Sequence, residues 1–470
     1  MFPYVLPNMT CRKHAQPSLW DGLLTAEVAD LWEPWMRQVD KLLDDDELLD
    51  SVYEAQGKRR PQSRRRGRPQ TPAEVVLRML LLKHIRNWSY ETLEREVRAN
   101  LVYRGFCRLG LAKVPDAKTM VRQGQALGPE VIAALHQRLV ELARQKRIVQ
   151  GRKLRVDTTV VETNIHYPTD SSLLGDGARV LTRVIKKIAA AKKGGLQRKI
   201  RDRMRSVQRR VLEVALAARR KGPIGEKRKE KAYRRLLRVT RQVLNQAQRV
   251  RREISNQGGG LKALGQQLGV MTDRVKQVMR QTRARILRGE THHPDKLVSV
   301  FEPHTEIIRK GKASRPTEFG KMVKIQEAEN QIITSYEVFA ERPSDSELLV
   351  PAVEAHEKCF GHVPRMVAAD GGFYSQANEQ AVQQKGVKWV SVPNRHTRSE
   401  PRRQLQKKRW FKKGQRWRCG CEGRISVLKR RHGLNRSRYR GQEGIERWVG
   451  LGVIADNLMS MGRVMARAAG

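Results

Sequence analysis

The chain has 470 residues, is 39% hydrophobic and carries a formal net charge of +47, about one excess positive charge per ten residues. Such an excess repels itself unless a polyanion neutralises it, so nucleic acid is the expected partner. No run of about 18 apolar residues appears, which argues against a membrane span, and the charge alone, shared with ribosomal and chromatin proteins, names no enzyme.

The start, Met1-Phe2-Pro3-Tyr4-Val5-Leu6-Pro7, lacks the basic n-region and apolar core of a signal peptide. Five cysteines, an odd number without repeating spacing, point to a reducing, cytoplasmic compartment. Residues 26–54 are acidic around Asp44-Asp45-Asp46-Glu47 and predict a helix, followed by a basic arm from Lys58 to Pro69 that includes Arg66 and Arg68. The arm reads either as a solvated linker against the acidic segment or as an extended minor-groove arm. Together these form a first region, 1–70.

Thr71-Pro72-Ala73-Glu74 has the pattern of a capping box with Pro at the first helical position, and it precedes Val75, Val76, Leu77, Met79, Leu80, Leu81 and Leu82. That helix is apolar nearly all round and should be buried among others. Further helices are predicted over 89–100 and 116–127, the latter capped by Asp116 and presenting Lys118, Thr119, Arg122 and Gln123. The region 71–150 reads as a helical DNA-binding domain of helix-turn-helix type, or as a plain bundle. An amphipathic helix with Val131, Leu135, Leu139 and Leu142 leads into the strand-like run Lys153–Val161, which contains Asp157.

Residues 151–175 would open a catalytic core that is then interrupted by a basic helical insertion, 176–295. Within 179–255 there are 27 Lys and Arg against 5 Asp and Glu. Helical apolar spacing there, broken at Gly222-Pro223-Ile224-Gly225 and ended by Gly258-Gly259-Gly260, predicts a long antiparallel hairpin, with another helix over 272–288. Its basic faces suit DNA backbone binding or a dimerisation hairpin.

From 296 to 470 the pattern changes to short strands, at 297–301, 321–325 and 332–339, then a helix over 346–359, the strand ending at Asp370, a helix over 375–385 and a strand over 387–392. This alternation implies an α/β sheet whose later strands are parallel, with Asp370 at the carboxyl edge beside the turn Gly371-Gly372-Phe373-Tyr374. A basic loop with interleaved aromatics follows, from Arg395 to Trp410, and then a helix-like stretch bearing Glu422. Asp157 and Asp370 on neighbouring strands could bridge divalent cations for in-line displacement at phosphorus, and oxygen-rich sites suit Mg²⁺. Glu162, five residues past Asp157, would face the opposite side of the strand. Asp170 and His166 lie in the loop that follows. Cys419-Gly420-Cys421 lacks a second ligand pair for zinc.

Three patches resemble the DDE transposases of bacterial insertion sequences: Val156–Asn164, Ala369–Tyr374, and Arg418, Glu422 and Lys429, which match the Arg-x3-Glu-x6-Lys part of a family signature. The signature's Tyr position is Gln415 here. Arg430-Arg431-His432-Gly433-Leu434, with Arg438 and Tyr439, is also similar. The resemblance implies a ribonuclease-H-like mixed sheet, with Asp157, Asp370 and Glu422 as metal ligands for Mg²⁺ (Mn²⁺ substituting). It further implies Arg418, Lys429 and Arg438 at DNA, and a nucleoid-associated enzyme acting as a homodimer or higher assembly on double-stranded DNA. Binding of terminal inverted repeats, strand cleavage and transfer to a target would follow. The competing readings are a non-catalytic nucleic-acid-binding protein and a nuclease on the same core without strand transfer.

Overall fold

In the computed structural model, residues 12–13, 27–59, 70–219, 221–309 and 317–469 are described. The acidic N-terminal segment forms two helices, α1 (Pro34–Leu42) and α2 (Asp46–Arg59), where one was expected. The acidic run itself makes the break: the Asp45 carboxylate accepts a hydrogen bond from the Leu48 backbone amide at 3.1 Å and so starts the second helix. Its other acids face arginines of the bundle. Asp40 and Asp44 each lie 2.6 Å from the fully buried Arg78, and Asp45 lies 2.8 Å from Arg138. The basic arm with Arg66 and Arg68 falls outside the described residues.

Helix α3 (Ala73–Ile85) is buried at every position, as its all-round apolarity predicts. The expected capping box does not form. Pro72 is the N-cap without a side-chain bond, and Glu74 turns inward to Arg78 and Arg108, at 3.5 and 3.4 Å. Helices α4 (Tyr90–Ala99), α5 (Leu101–Phe106), α6 (Ala117–Ala126) and α7 (Pro129–Gln145) complete the bundle. Ser89, Asn100 and Asp116 cap three of them through their side chains. Strand β1 (Lys153–Glu162) follows.

Residues 165–319 form a compact unit of their own. The stretch expected as a two-armed hairpin holds three helices, α8 (Asp170–Ala191), α9 (Met204–Ala218) and α10 (Pro223–Glu253), and the further expected helix is α11 (Gly259–Leu287). They close over a separate core that includes Leu174, Ile185, Val207, Leu236 and Val275. Helix α11 begins thirteen residues before the expected 272, because Leu261, Leu264 and Leu268 extend its apolar face through the glycine run. Asp170 is buried against Arg285 at 3.1 Å, which gives it a structural partner. The expected strand at 297–301 is absent. The Gln281 amide takes both the Leu297 backbone N–H and its C=O, at 3.0 and 2.9 Å, and leaves no ladder to form. A short strand not foreseen, β2 (Glu306–Arg309), lies further along.

Residues 1–164 and 320–470 make up the other unit. Its sheet continues with β3 (Thr317–Glu327), β4 (Ile333–Val338), α12 (Leu349–Phe360), β5 (Met366–Ala368), α13 (Gln376–Gln384) and β6 (Trp389–Ser391). β3 runs antiparallel to β1 and to β4, while β5 runs parallel to β1 and β6 parallel to β5. The basic stretch expected as a loop is largely helical: α14 (Glu400–Lys407) leads into α15 (Arg409–Arg431), which crosses Gly414, Gly420 and Gly423 unbroken. The last helix, α16 (Gln442–Ala469), supplies Leu451, Ile454 and Leu458 to the bundle core and Trp448, Val449 and Val453 to the sheet core. Among the described residues no helix is long and apolar enough to cross a membrane.

Candidate functional site

The register places the first two acids side by side. Arg155 pairs with Ala368 across parallel β1 and β5. Asp157 and Asp370 each lie two residues further along, on strands spaced about 4.8 Å apart. Asp157 stands inside the longer β1 rather than at its end; it is β5 that stops short and delivers Asp370 to the turn. Residues two apart share a face, so Asp157 faces the same side as Arg155. Arg155 donates to the Trp417 carbonyl and ion-pairs with buried Glu327. That is the side covered by α15.

Helix α15 is seated by small residues and one amide. A Cβ at Gly414 would lie 2.5 Å from the Ser391 Cβ, and one at Gly420 would lie 2.4 Å from the Arg155 guanidinium. The Gln415 amide donates to Ser391 Oγ at 3.2 Å and to the Ala369 carbonyl at 3.4 Å, at the ends of β5 and β6. Ser391 in turn donates to the Phe411 carbonyl at 2.9 Å. The residue in the signature's tyrosine position is thus the clasp that holds this helix to the strand ends.

So held, α15 brings Arg418 and Glu422 to the acids. Arg418, 8% exposed, donates to Glu422 at 3.0 Å and lies 3.9 Å from Asp157. Asp370 pairs with Arg395 at 3.1 Å. Asp157 accepts from the Thr158 amide at 2.8 Å, and the Thr158 hydroxyl donates to Asp345 at 3.1 Å. Burial pushes the Asp157 carboxyl up to about 6, with the charges of Asp370 and Glu422 adding to the rise and Arg418 opposing it. Like charges nearby raise a carboxyl in the same direction as burial does.

Among the described residues, no three His, Cys, Asp or Glu side chains converge as a ready metal cage. The Arg418 guanidinium stands between Asp157 and Glu422. The donor set still fits a hard divalent cation: all three acids supply oxygen, and Asp157 is desolvated and repelled in a way a cation would relieve. No nitrogen or sulfur ligand intrudes; the Cys421 thiol is buried and held well above its usual range, by burial first.

The other expected contacts scatter. Lys118 and Arg122 are exposed on α6, where Arg122 donates to Thr119 at 3.0 Å. Lys429 is half-buried on α15, two turns past Glu422. Arg438 is exposed and donates to the Asn87 carbonyl at 3.4 Å. Sequence reasoning missed Asp345 and the roles of Gln415 and Arg155. No sequence signal pointed to Asp345, whose carboxylate lies 3.2 Å from where a Cβ at Gly372 would stand.

Residues 33–125 match the family described as Transposase domain (DUF772), and residues 297–458 match the family described as Transposase DDE domain. Together these cover more than half of the chain. Asp370 and Glu422 fall inside the second match, while Asp157 lies between the two. A protein of Rhizobium meliloti described as uncharacterized protein ORF8 in the nfe locus is 31% identical over 127 residues, 26% of this chain. The chain spans 61% of that relative's length. No solved structure matches.

Proposed function

The chain belongs to the DDE transposases of insertion sequences, and from that premise we propose that it binds the terminal inverted repeats of its element and catalyses DNA strand cleavage and transfer at Asp157, Asp370 and Glu422. The observation that carries this reading is the juxtaposition itself: two acids at equivalent positions of adjacent parallel strands, and a third on the helix clasped across them.

A ribonuclease-H-like core is supported by the strand order β4-β3-β1-β5-β6, with the β3–β4 and β3–β1 pairs antiparallel and the β1–β5 and β5–β6 pairs parallel. Asp157, Asp370 and Glu422 would hold divalent cations, Mg²⁺ or Mn²⁺; such ions supply an activated oxygen nucleophile and neutralise charge on the leaving oxygen. The chain's own groups orient the acids. The Thr158 amide fixes one Asp157 oxygen, Arg395 holds Asp370, and Arg418 tethers Glu422. On substrate binding, Arg418 and Arg395 are placed to exchange carboxylate for phosphate, which their planar forks match equally well. Lys429, on the Glu422 side of α15, would take a neighbouring phosphate. Lys118 and Arg122 on α6, with Arg438, would contribute duplex contacts, and synapsis of two ends would require at least a dimer on DNA.

Substituting Asp370→Asn tests the assignment. With a plasmid carrying the element's own ends, it should abolish cleavage and joining while duplex affinity stays within about twofold, as expected where one carboxylate is replaced by an isosteric amide. Cleavage that survives would remove Asp370 from the chemistry. Cutting by the unaltered protein without joining to a target would replace transposase by nuclease.

A further inference from the structure

We infer that a second anion site exists at the far end of α15: a cavity ringed by Arg86, Arg430, Arg431 and Arg463 that takes a backbone phosphate of duplex DNA. The inference rests on the proposed action on DNA, but its residues lie apart from the three acids.

The cavity has a volume of about 540 Å³ and opens where the ends of α3 and α15 meet α1 and α16. Its wall is partly built. The Arg86 guanidinium lies 5.6 Å over the Trp35 ring and 5.6 Å over the Tyr103 ring, and it ion-pairs with Glu33. The other three arginines are exposed and underused. Arg430 reaches only the Ser426 carbonyl of its own helix, at 3.4 Å. Arg431 and Arg463 have no hydrogen bond or ion pair with any described residue. The nearest buried acid, Asp456, is 1% exposed and committed to Arg424 at 2.6 Å.

Four guanidinium groups line the cavity against two carboxylates, exposed Glu33, which attracts Arg463, and buried Asp456, which attracts Arg431 and Arg463, and a surplus of positive charge remains. Its field is felt behind the wall: the His432 imidazole is held down to about 4, by burial first, with the charges of Arg424, Arg431 and Arg463 adding to the effect. An anion with several oxygens offers each arginine fork a partner, and phosphate is the group that meets this geometry from more than one side.

Position selects the DNA backbone over a free anion. Arg430 is eight residues beyond Glu422 on one continuous helix, a rise of about 12 Å with a rotation of only about 80° from the Glu422 face. At 3.4 Å per nucleotide of one strand, that is about four base steps. A duplex running along α15 with its reacting phosphate at the acids would carry a later phosphate past the C-terminal end of the helix, where the cavity opens.

The test uses the full chain, a short random-sequence duplex and binding measured across a salt series. The Arg431→Gln/Arg463→Gln variant should weaken binding roughly tenfold or more and lower the slope of log K against log salt by about 2. The melting temperature should hold, since both side chains are exposed and neither makes a hydrogen bond or ion pair with a described residue. The Arg431→Lys/Arg463→Lys variant should restore the slope. An unchanged slope in the Gln variant would overturn the site and leave the proposed function standing. No duplex binding by the unaltered chain would sink both. If millimolar inorganic phosphate raises the melting temperature of the unaltered chain alone while the DNA slope is unaffected by the substitutions, the cavity is a small-anion site and the duplex assignment fails.

Discussion

Lys83 shows how far burial can work against a charge in this chain. It is 2% exposed on the all-buried helix α3, with its ammonium 4.7 Å over the rings of both Tyr90 and Trp448 and 5.2 Å over Tyr439. Ring faces attract a cation, yet burial, helped by the charge of Arg438, brings its pKa down from 10.5 to about 7. Below pH 7 the lysine is charged in both the folded and unfolded states, and the full cost of burying the charge is felt. Between about 7 and 10.5 the folded state releases its proton first, so stability should climb with pH by about 1.4 kcal/mol per unit. Lys83→Met should flatten that climb and raise stability at pH 7, as urea titrations at several pH values would record. Arg78 is the opposite case. It is fully buried but held by Asp40 and Asp44, so Arg78→Ala, which leaves both acids to Arg108 alone, should be destabilising by less than the about 3–5 kcal/mol of a buried pair broken with no second partner. Asp157, Asp370 and Glu422 stand out in the sequence as single residues, each by its local run. Arg155 and Gln415 were not, because what they hold lies across the sheet.

At the scale of elements, glycine in α15 carries the lesson. Read along the chain, Gly414, Gly420 and Gly423 weaken a helix, since glycine is a poor helix former. In the fold, two of them are where the Ser391 and Arg155 side chains press against the helix. Close approach, rather than a helix break, is what those positions serve. Gly414→Leu should lift α15 from the strand ends, lower stability by about 1–3 kcal/mol and remove cleavage, because Arg418 and Glu422 would move with the helix. Retained cleavage in a folded Gly414→Leu protein would show that the seat of α15 is not what positions them. The failed strand at 297–301 has the converse cause. Its residue types suit a strand, but the side chain of Gln281 satisfies the Leu297 backbone first.

For the whole molecule, the charge is unevenly spent. Lys227, Arg228, Lys231 and Arg238 are exposed along α10, within a unit that closes its own apolar core. Replacing all four by Gln should reduce the salt slope of DNA binding by about 3–4 if each meets a phosphate, with the molecular mass in solution unchanged. A change of mass with an unchanged slope would favour the dimerisation role for these helices instead.

Composition, the Asp116 cap, the buried apolar helix at 73–85 and the strand–turn around Asp370 were determined by the sequence itself, because each follows from interactions within a few residues: backbone sterics, side-chain caps and apolar period. The four-helix form of the insertion, the register that sets Asp157 beside Asp370, and the clasp that brings Glu422 to them were decided only by tertiary structure. They depend on which surfaces meet across more than two hundred residues of chain (Asp157 to Asp370), and no local pattern encodes that meeting.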